Sequence, residues 1–147
     1  MPRELPSRAD HVGSFLRPQQ LIEARTAFAE GRIDAAALRG VEDEAIREIA
    51  RYQEDLGLRA ITDGEFRRTF FHTDFLLQLA GVEERGGLKK AFKNDTGVDV
   101  HFAPPVMVVT GRVAHVKPIQ LADFEFLESV VDETPKVTIP SPTMLHF

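Results

Sequence analysis

Leu58-Arg59-Ala60-Ile61-Thr62-Asp63-Gly64-Glu65-Phe66-Arg67-Arg68 is the stretch on which the fold turns. Leu58 to Thr62 has the apolar character of a short buried strand, and it runs without a spacer into Asp63-Gly64-Glu65. Just before it lies the clearest helix of the sequence. Leu38, Val41, Ala45, Ile49, Tyr52 and Leu56 recur at steps of three and four, and Ile46 widens that apolar stripe. Asp34 suits its N-terminal cap and Gly57 its C-terminal stop. Asp43/Arg47 and Arg51/Asp55 are spaced to pair along a solvated face.

Working outward, Ala9 to Phe15 reads as a first short strand that closes on Gly13-Ser14. Pro18 stands where a helix starts well, since its missing N–H would have no partner there. Leu21, Ile22, Arg25 and Phe28 follow at helical spacing, with Gly31 at the end. Beyond the central stretch, Phe70 to Leu79 reads as helix, ending near Gly81. Strand, helix, helix, strand, helix is the order of an α/β protein with parallel strands.

Between Val82 and Val116 the pattern changes. Gly86-Gly87, Asn94-Asp95 and Gly97 are turn signals, Val98 to Phe102 alternates polar and apolar, and Val106 to Val113 is β-rich. The reading is one region, residues 1–147, with an antiparallel hairpin insertion over 82–116. Gln120 to Val131 returns to helix, Lys136 to Pro140 is the next parallel strand, and Ser141-Pro142 is its exit loop.

The chain has 18 basic and 23 acidic residues, a net charge of −5 that offers no long-range attraction to nucleic acid or an anionic membrane. With no cysteine it has no disulfide, thiolate ligand or thiol nucleophile. The start, Met1-Pro2-Arg3-Glu4-Leu5-Pro6, lacks the apolar core of a secretory signal, and no apolar run approaches a membrane span. A cytoplasmic setting is expected, with no nucleic-acid or membrane partner.

In parallel α/β folds ligands sit at the carboxyl ends of strands. Three such ends are Val12-Gly13-Ser14, Thr62-Asp63-Gly64-Glu65 and Pro140-Ser141. Gly13-Ser14 is either an ordinary turn or a place where a ligand meets the backbone and a hydroxyl. Glu65 is placed to hold a substrate ammonium group. Asp63 fits a helix cap as well as a site, and Arg67 and Arg68 fit carboxylate partners, a substrate acid or the surface. The histidines, His11, His72, His101, His115 and His146, form no i,i+4 pair on a clear helix, so no metal site is expected from this chain. It has neither a Gly-rich phosphate loop nor a Gly-x-Ser-x-Gly elbow.

Asp10-His11-Val12-Gly13-Ser14-Phe15-Leu16-Arg17-Pro18, followed about fifty residues later by Ile61 to Arg68, resembles the cobalamin-independent methionine synthase family, most closely its short single-barrel members. The likeness continues through Val116-Lys117-Pro118 and Thr138-Ile139-Pro140-Ser141-Pro142-Thr143. It implies a (β/α)8 barrel and methyl transfer from a folate donor to the homocysteine thiol. It implies that Val12, Gly13 and Ser14 hold the amino acid's carboxylate end and that Glu65 grips the amino group. Lys117 is implied on the folate side. The family's zinc, held by a His, two Cys and a Glu, ionises the thiol. The Cys ligands are absent here. Asp63 departs from the His that long members carry before Gly-Glu.

A complete barrel takes roughly 250 residues. The chain stops at Leu145-His146-Phe147, just after a strand-like segment. The expectation is a partial TIM barrel, its N-terminal strands and helices plus the hairpin insertion, inactive alone and prone to self-association through open sheet edges. Two other readings stay open. One is a related barrel of other chemistry, such as a uroporphyrinogen-decarboxylase-like enzyme or another thiol methyltransferase. The other is a small non-catalytic binding protein.

Overall fold

The computed structural model describes residues 9–86, 90–93, 99–102 and 106–146. Of the turn signals, Gly87, Asn94, Asp95 and Gly97 lie outside them, as does Val98. The elements form two compact units, residues 1–68 with 120–138, and residues 69–119 with 139–147.

The first unit holds α1 (Gln19–Ala29), α2 (Ala35–Asp55), β1 (Ala60–Ile61), α4 (Leu121–Glu128) and β6 (Thr134–Pro135). Leu21, Ala45, Ile46, Ala50, Ile61, Phe66 and Leu127 make its core. Burying a Leu, Ile or Phe contributes about 1.5–3 kcal/mol each. Asp34 caps α2 as expected, its carboxylate accepting from the Ala37 N–H at 2.8 Å. The buried face of α2 is rotated from the apolar stripe. Glu42, Ala45, Ile46, Ala50 and Gln53 are buried, whereas Tyr52 and Leu56 are 54% and 61% exposed. Partners outside the helix explain the rotation. Glu42 faces Arg25 and Arg67, and Gln53 binds Thr62. Asp43, expected to pair with Arg47 in solvent, instead meets Arg67 at 2.6 Å.

β1 and β6 pair in parallel, Ala60 opposite Thr134 and Ile61 opposite Pro135, and the Lys136 N–H donates to the Ile61 carbonyl at 2.7 Å. Strands were expected over 58–62 and 136–140; the first is paired only at Ala60–Ile61, and no strand forms over 136–140, the partner strand lying just before it at Thr134–Pro135. At Thr62 a side chain takes the place of a neighbouring strand, because the Gln53 amide binds both the N–H and the carbonyl of Thr62. No strand forms over Ala9 to Phe15 either. There the His11 ring donates from Nε2 to the Gly13 carbonyl at 2.8 Å and stacks on Phe15, so local contacts curl the segment.

The second unit holds α3 (Thr73–Leu76), β2 (Ala80–Arg85), β3 (Lys90–Lys93), β4 (Asp99–Phe102), β5 (Val106–Ala114) and a 3₁₀ turn, Pro142–His146. β2 pairs antiparallel with β5, and β3 with β4. The helix expected over 70–79 is a single turn. The Asp74 carboxylate accepts from the N–H groups of Thr69 and Phe70, which folds the preceding residues into a loop, and β2 begins at Ala80. The register of β2 on β5 shifts between Ala80 and Val82, where the single Gly81 faces the longer 110–113 stretch of β5. Gly81 sits there at φ +78°, where an added Cβ would lie 2.6 Å from the Arg112 carbonyl oxygen.

Candidate functional site

The first unit gathers a polar cluster around the turn that follows β1. Ile61 anchors the strand in the core, and Gln53 of α2 holds the next residue. Gln53 is fully buried. Its amide donates to the Thr62 carbonyl at 2.8 Å, and its oxygen accepts from the Thr62 N–H at 3.0 Å and the Thr62 hydroxyl at 3.3 Å. The Thr62 hydroxyl oxygen in turn accepts from the Gly64 N–H at 3.3 Å.

Gly64 and Glu65 are both left-handed, at φ +66° and +58°. Glycine is required at 64 twice over, by that φ and by the Phe66 and Phe15 rings, which an added Cβ would meet at 3.2 and 3.3 Å. Glu65 has no such freedom, and the conformation costs it of order 1–3 kcal/mol. Its surroundings hold it there. Its N–H donates to the Asp63 carboxylate at 2.9 Å, and Arg17 donates to the carbonyls of Glu65 at 3.1 Å and Arg68 at 2.6 Å. Arg25 donates to the Phe66 carbonyl at 2.5 Å.

The result is a Glu65 side chain only 6% exposed, its carboxylate aimed at the residues after β6. The Thr138 hydroxyl donates to it at 2.9 Å, and the Arg68 guanidinium stands 3.6 Å away while also donating to Thr138 at 3.2 Å. A small cleft nearby is lined by Asp63, Arg68, Gln120, Asp123 and Lys136, so it presents both signs of charge.

Arg67 belongs to a different arrangement. Its side chain is 6% exposed, pairs with Glu42, Asp43 and Asp123, and lies over the Phe126 ring at 4.9 Å. It braces the α2–α4 contact, while its neighbour Arg68 joins the Glu65 cluster. Lys136, from the lining of the small cleft, binds the Asp10 carboxylate and the His11 carbonyl. That hydrogen-bonded ammonium holds the Asp10 carboxyl below its ordinary range.

The residues read from the sequence divide as follows. Val12 and Ser14 are exposed, and Gly13 turns the chain at φ +96°. The Phe15 N–H donates to the Gly64 carbonyl at 3.1 Å, so the Val12-Gly13-Ser14 segment is tied one residue on to the Asp63-Gly64-Glu65 turn. Asp63 acts on its own turn, as a local acceptor. Lys117 is exposed and belongs to the second unit. Gln53, Arg17 and Arg25 were not picked out. Gln53 carried a signal, a polar residue four positions after Ile49 on the helix face that the core claims.

A thiolate-held zinc does not fit these residues. The chain has no cysteine, and among the described residues no three His, Asp or Glu side chains converge as a metal-holding group.

No protein-family model matches the sequence. Among curated proteins it is 41% identical to the uncharacterized protein YxjH of Bacillus subtilis over 99% of this chain and 38% of that protein. Among solved structures it superposes at a TM-score of 0.74 on a putative vitamin-B12-independent methionine synthase from Listeria monocytogenes, 40% identical over 97% of this chain and 38% of the other. The chain is a homologue of the cobalamin-independent methionine synthases. It spans about two-fifths of the length of these first relatives. A methionine synthase homologue from Shewanella, solved in complex with selenomethionine, is 25% identical with a TM-score of 0.58 over 78% of this chain and 32% of that one. The 5-methyltetrahydropteroyltriglutamate–homocysteine methyltransferase of Lactiplantibacillus plantarum is 29% identical over 89% of this chain and 16% of the enzyme. Like those homologues, the chain mixes α and β structure. Among its described residues, no helix is long and apolar enough to cross a membrane.

Proposed function

We propose that this methionine synthase homologue carries the amino-acid-binding side of a methyltransferase site. The guest is a homocysteine-like amino acid, and the reaction it serves is methyl transfer from a folate donor to the guest's thiol in a longer assembly. In that reading residues 1–147 are the N-terminal part of a (β/α)8 barrel with 82–116 as a hairpin insertion. The protein works in the cytoplasm and self-associates through open sheet edges when alone.

The observation that carries the reading is the Glu65 carboxylate, nearly buried at the end of β1 and held by Thr138 and Arg68. A carboxylate desolvated in this way favours a cationic partner, since a charge-assisted hydrogen bond contributes about 1.5–3 kcal/mol. Glu65 takes the substrate ammonium, with Asp63 adding negative charge beside it. Val12, Gly13 and Ser14 take the substrate carboxylate through backbone N–H groups and the Ser14 hydroxyl. Lys117 serves the folate side. Zinc, in the family, supplies the ionised sulfur; this chain lacks the ligands to hold it, and the isolated chain is therefore expected to be inactive.

Calorimetric titration with L-homocysteine and L-methionine tests the reading. Glu65→Gln keeps the shape and removes the charge, and it should weaken binding by about ten- to hundredfold, the equivalent of one charge-assisted hydrogen bond. Equal affinity in the variant and the wild type would defeat the assignment of Glu65. Turnover by the isolated chain, supplied with zinc, homocysteine and methyl donor, would defeat the division of labour.

A further inference from the structure

We infer that Gln53 is a positioning residue for the Gly64-Glu65 turn, setting from α2 the place where the Glu65 carboxylate meets its guest. The inference rests on the reading of Glu65 just given, and it extends that reading to a residue that touches neither the turn nor the guest.

Gln53 is 0% exposed, and its amide is spent on a single residue of β1's exit apart from one donation back to Ile49's carbonyl at 3.1 Å. Three hydrogen bonds join Gln53 and Thr62, one donated by the Gln53 amide and two by the Thr62 N–H and hydroxyl. A buried amide that lost them would leave donors and acceptors of both residues without water to replace them. The amide thus locks Thr62 in rotation as well as in place. The same Thr62 oxygen accepts the Gly64 N–H, so the lock is passed to the first left-handed residue. Glu65 follows directly, in a backbone conformation it would not choose unaided. Without the lock, Gly64 has wide conformational freedom, and the Glu65 carboxylate loses its register with Thr138.

The backbone carbonyl of Gln53 adds a second hold, accepting the Leu58 N–H at 3.1 Å where α2 gives way to β1. That bond survives any change of side chain. A side-chain variant therefore separates the lock on the turn from the connection between helix and strand.

The test uses the full chain and four variants: Gln53→Met, Thr62→Val, the pair together, and Ile46→Val as a core control. Amide NMR signals of Gly64 and Glu65 and the affinity for L-methionine are the readouts. Gln53→Met should shift both amide signals and weaken methionine binding about tenfold, the equivalent of one net hydrogen bond. Thr62→Val should do the same, and the double variant should lose little more, because the two act through one path. Ile46→Val perturbs the same core and should leave the two amide signals in place. Unchanged Gly64 and Glu65 signals in Gln53→Met, or an additive double variant, would overturn the inference. Should Gln53→Met fail to fold, Thr62→Val carries the same decision, since it breaks the relay and leaves the backbone pairing. No methionine binding by the wild type would sink the functional reading instead, while the amide signals still decide whether Gln53 sets the turn.

Discussion

The Thr138 hydroxyl donates to the Glu65 carboxylate at 2.9 Å and joins the loop after β6 to the turn after β1. The two residues are 73 apart in the chain, and the bond closes the candidate site across its parallel strand pair. Thr138→Val should remove a donor from a carboxylate that has little water to turn to. The expected loss is about 1–3 kcal/mol of stability, the cost of a buried polar group left under-satisfied. Urea unfolding would show it as a lower midpoint with an unchanged slope.

Arg67 is the larger structural risk. Its guanidinium answers Glu42, Asp43 and Asp123 and covers Phe126. Arg67→Met keeps some apolar bulk and leaves those carboxylates facing one another. A loss of about 3 kcal/mol is expected, as for other broken buried pairs. Arg67→Lys should recover only part of it, because an ammonium cannot present the same planar fork. Denaturant midpoints of the two variants would check the order.

Gly81→Ala tests the register shift in the second unit. The substitution puts a Cβ into a left-handed residue and against the Arg112 carbonyl. Destabilisation should exceed the roughly 1 kcal/mol gained where such a change is compatible with the backbone, and it should carry the opposite sign. Amide exchange along β2 and β5 should quicken while exchange in α2 stays slow.

Acid should act on the strand ends through Asp10. Its carboxyl is held below the ordinary range by the Lys136 hydrogen bond. The native state therefore binds this proton less readily than the unfolded chain. The stabilising contribution is fully present above the unfolded value of about 3.9 and is lost as pH falls through the lower native one. An NMR titration should place the Asp10 midpoint below that of a free aspartate, and Lys136→Ala should bring it back. A midpoint unmoved by that substitution would contradict the pairing.

Glu65 and Gln53 mark the border between what could be read along the chain and what could not. Glu65 stood out because a carboxylate directly after an apolar run, with glycine beside it, is an unusual way to leave a strand; its burial and its bond to Thr138 did not. Gln53 was passed over because periodicity assigns a helix face by hydropathy, and a polar residue on that face counts as noise. Glu42 was missed for the same reason, and Tyr52 and Leu56 were placed inside when they are outside. The helix cap at Asp34 and the helix following Pro18 depend on neighbours a few residues away, so local chemistry sufficed for them.

Short-range forces wrote α1, α2 and the strand after α2 into the order of residues, whereas the helix expected over 70–79 shrank to one turn. Burial of Gln53, Glu42 and Arg67 was settled later, by partners outside their own elements: Thr62 past the end of α2 for Gln53, Arg25 and Arg67 for Glu42, and Glu42, Asp43 and Asp123 for Arg67. The physical reason is desolvation: a polar group enters a core when something there answers its hydrogen bonds, and that answer exists once the chain has folded.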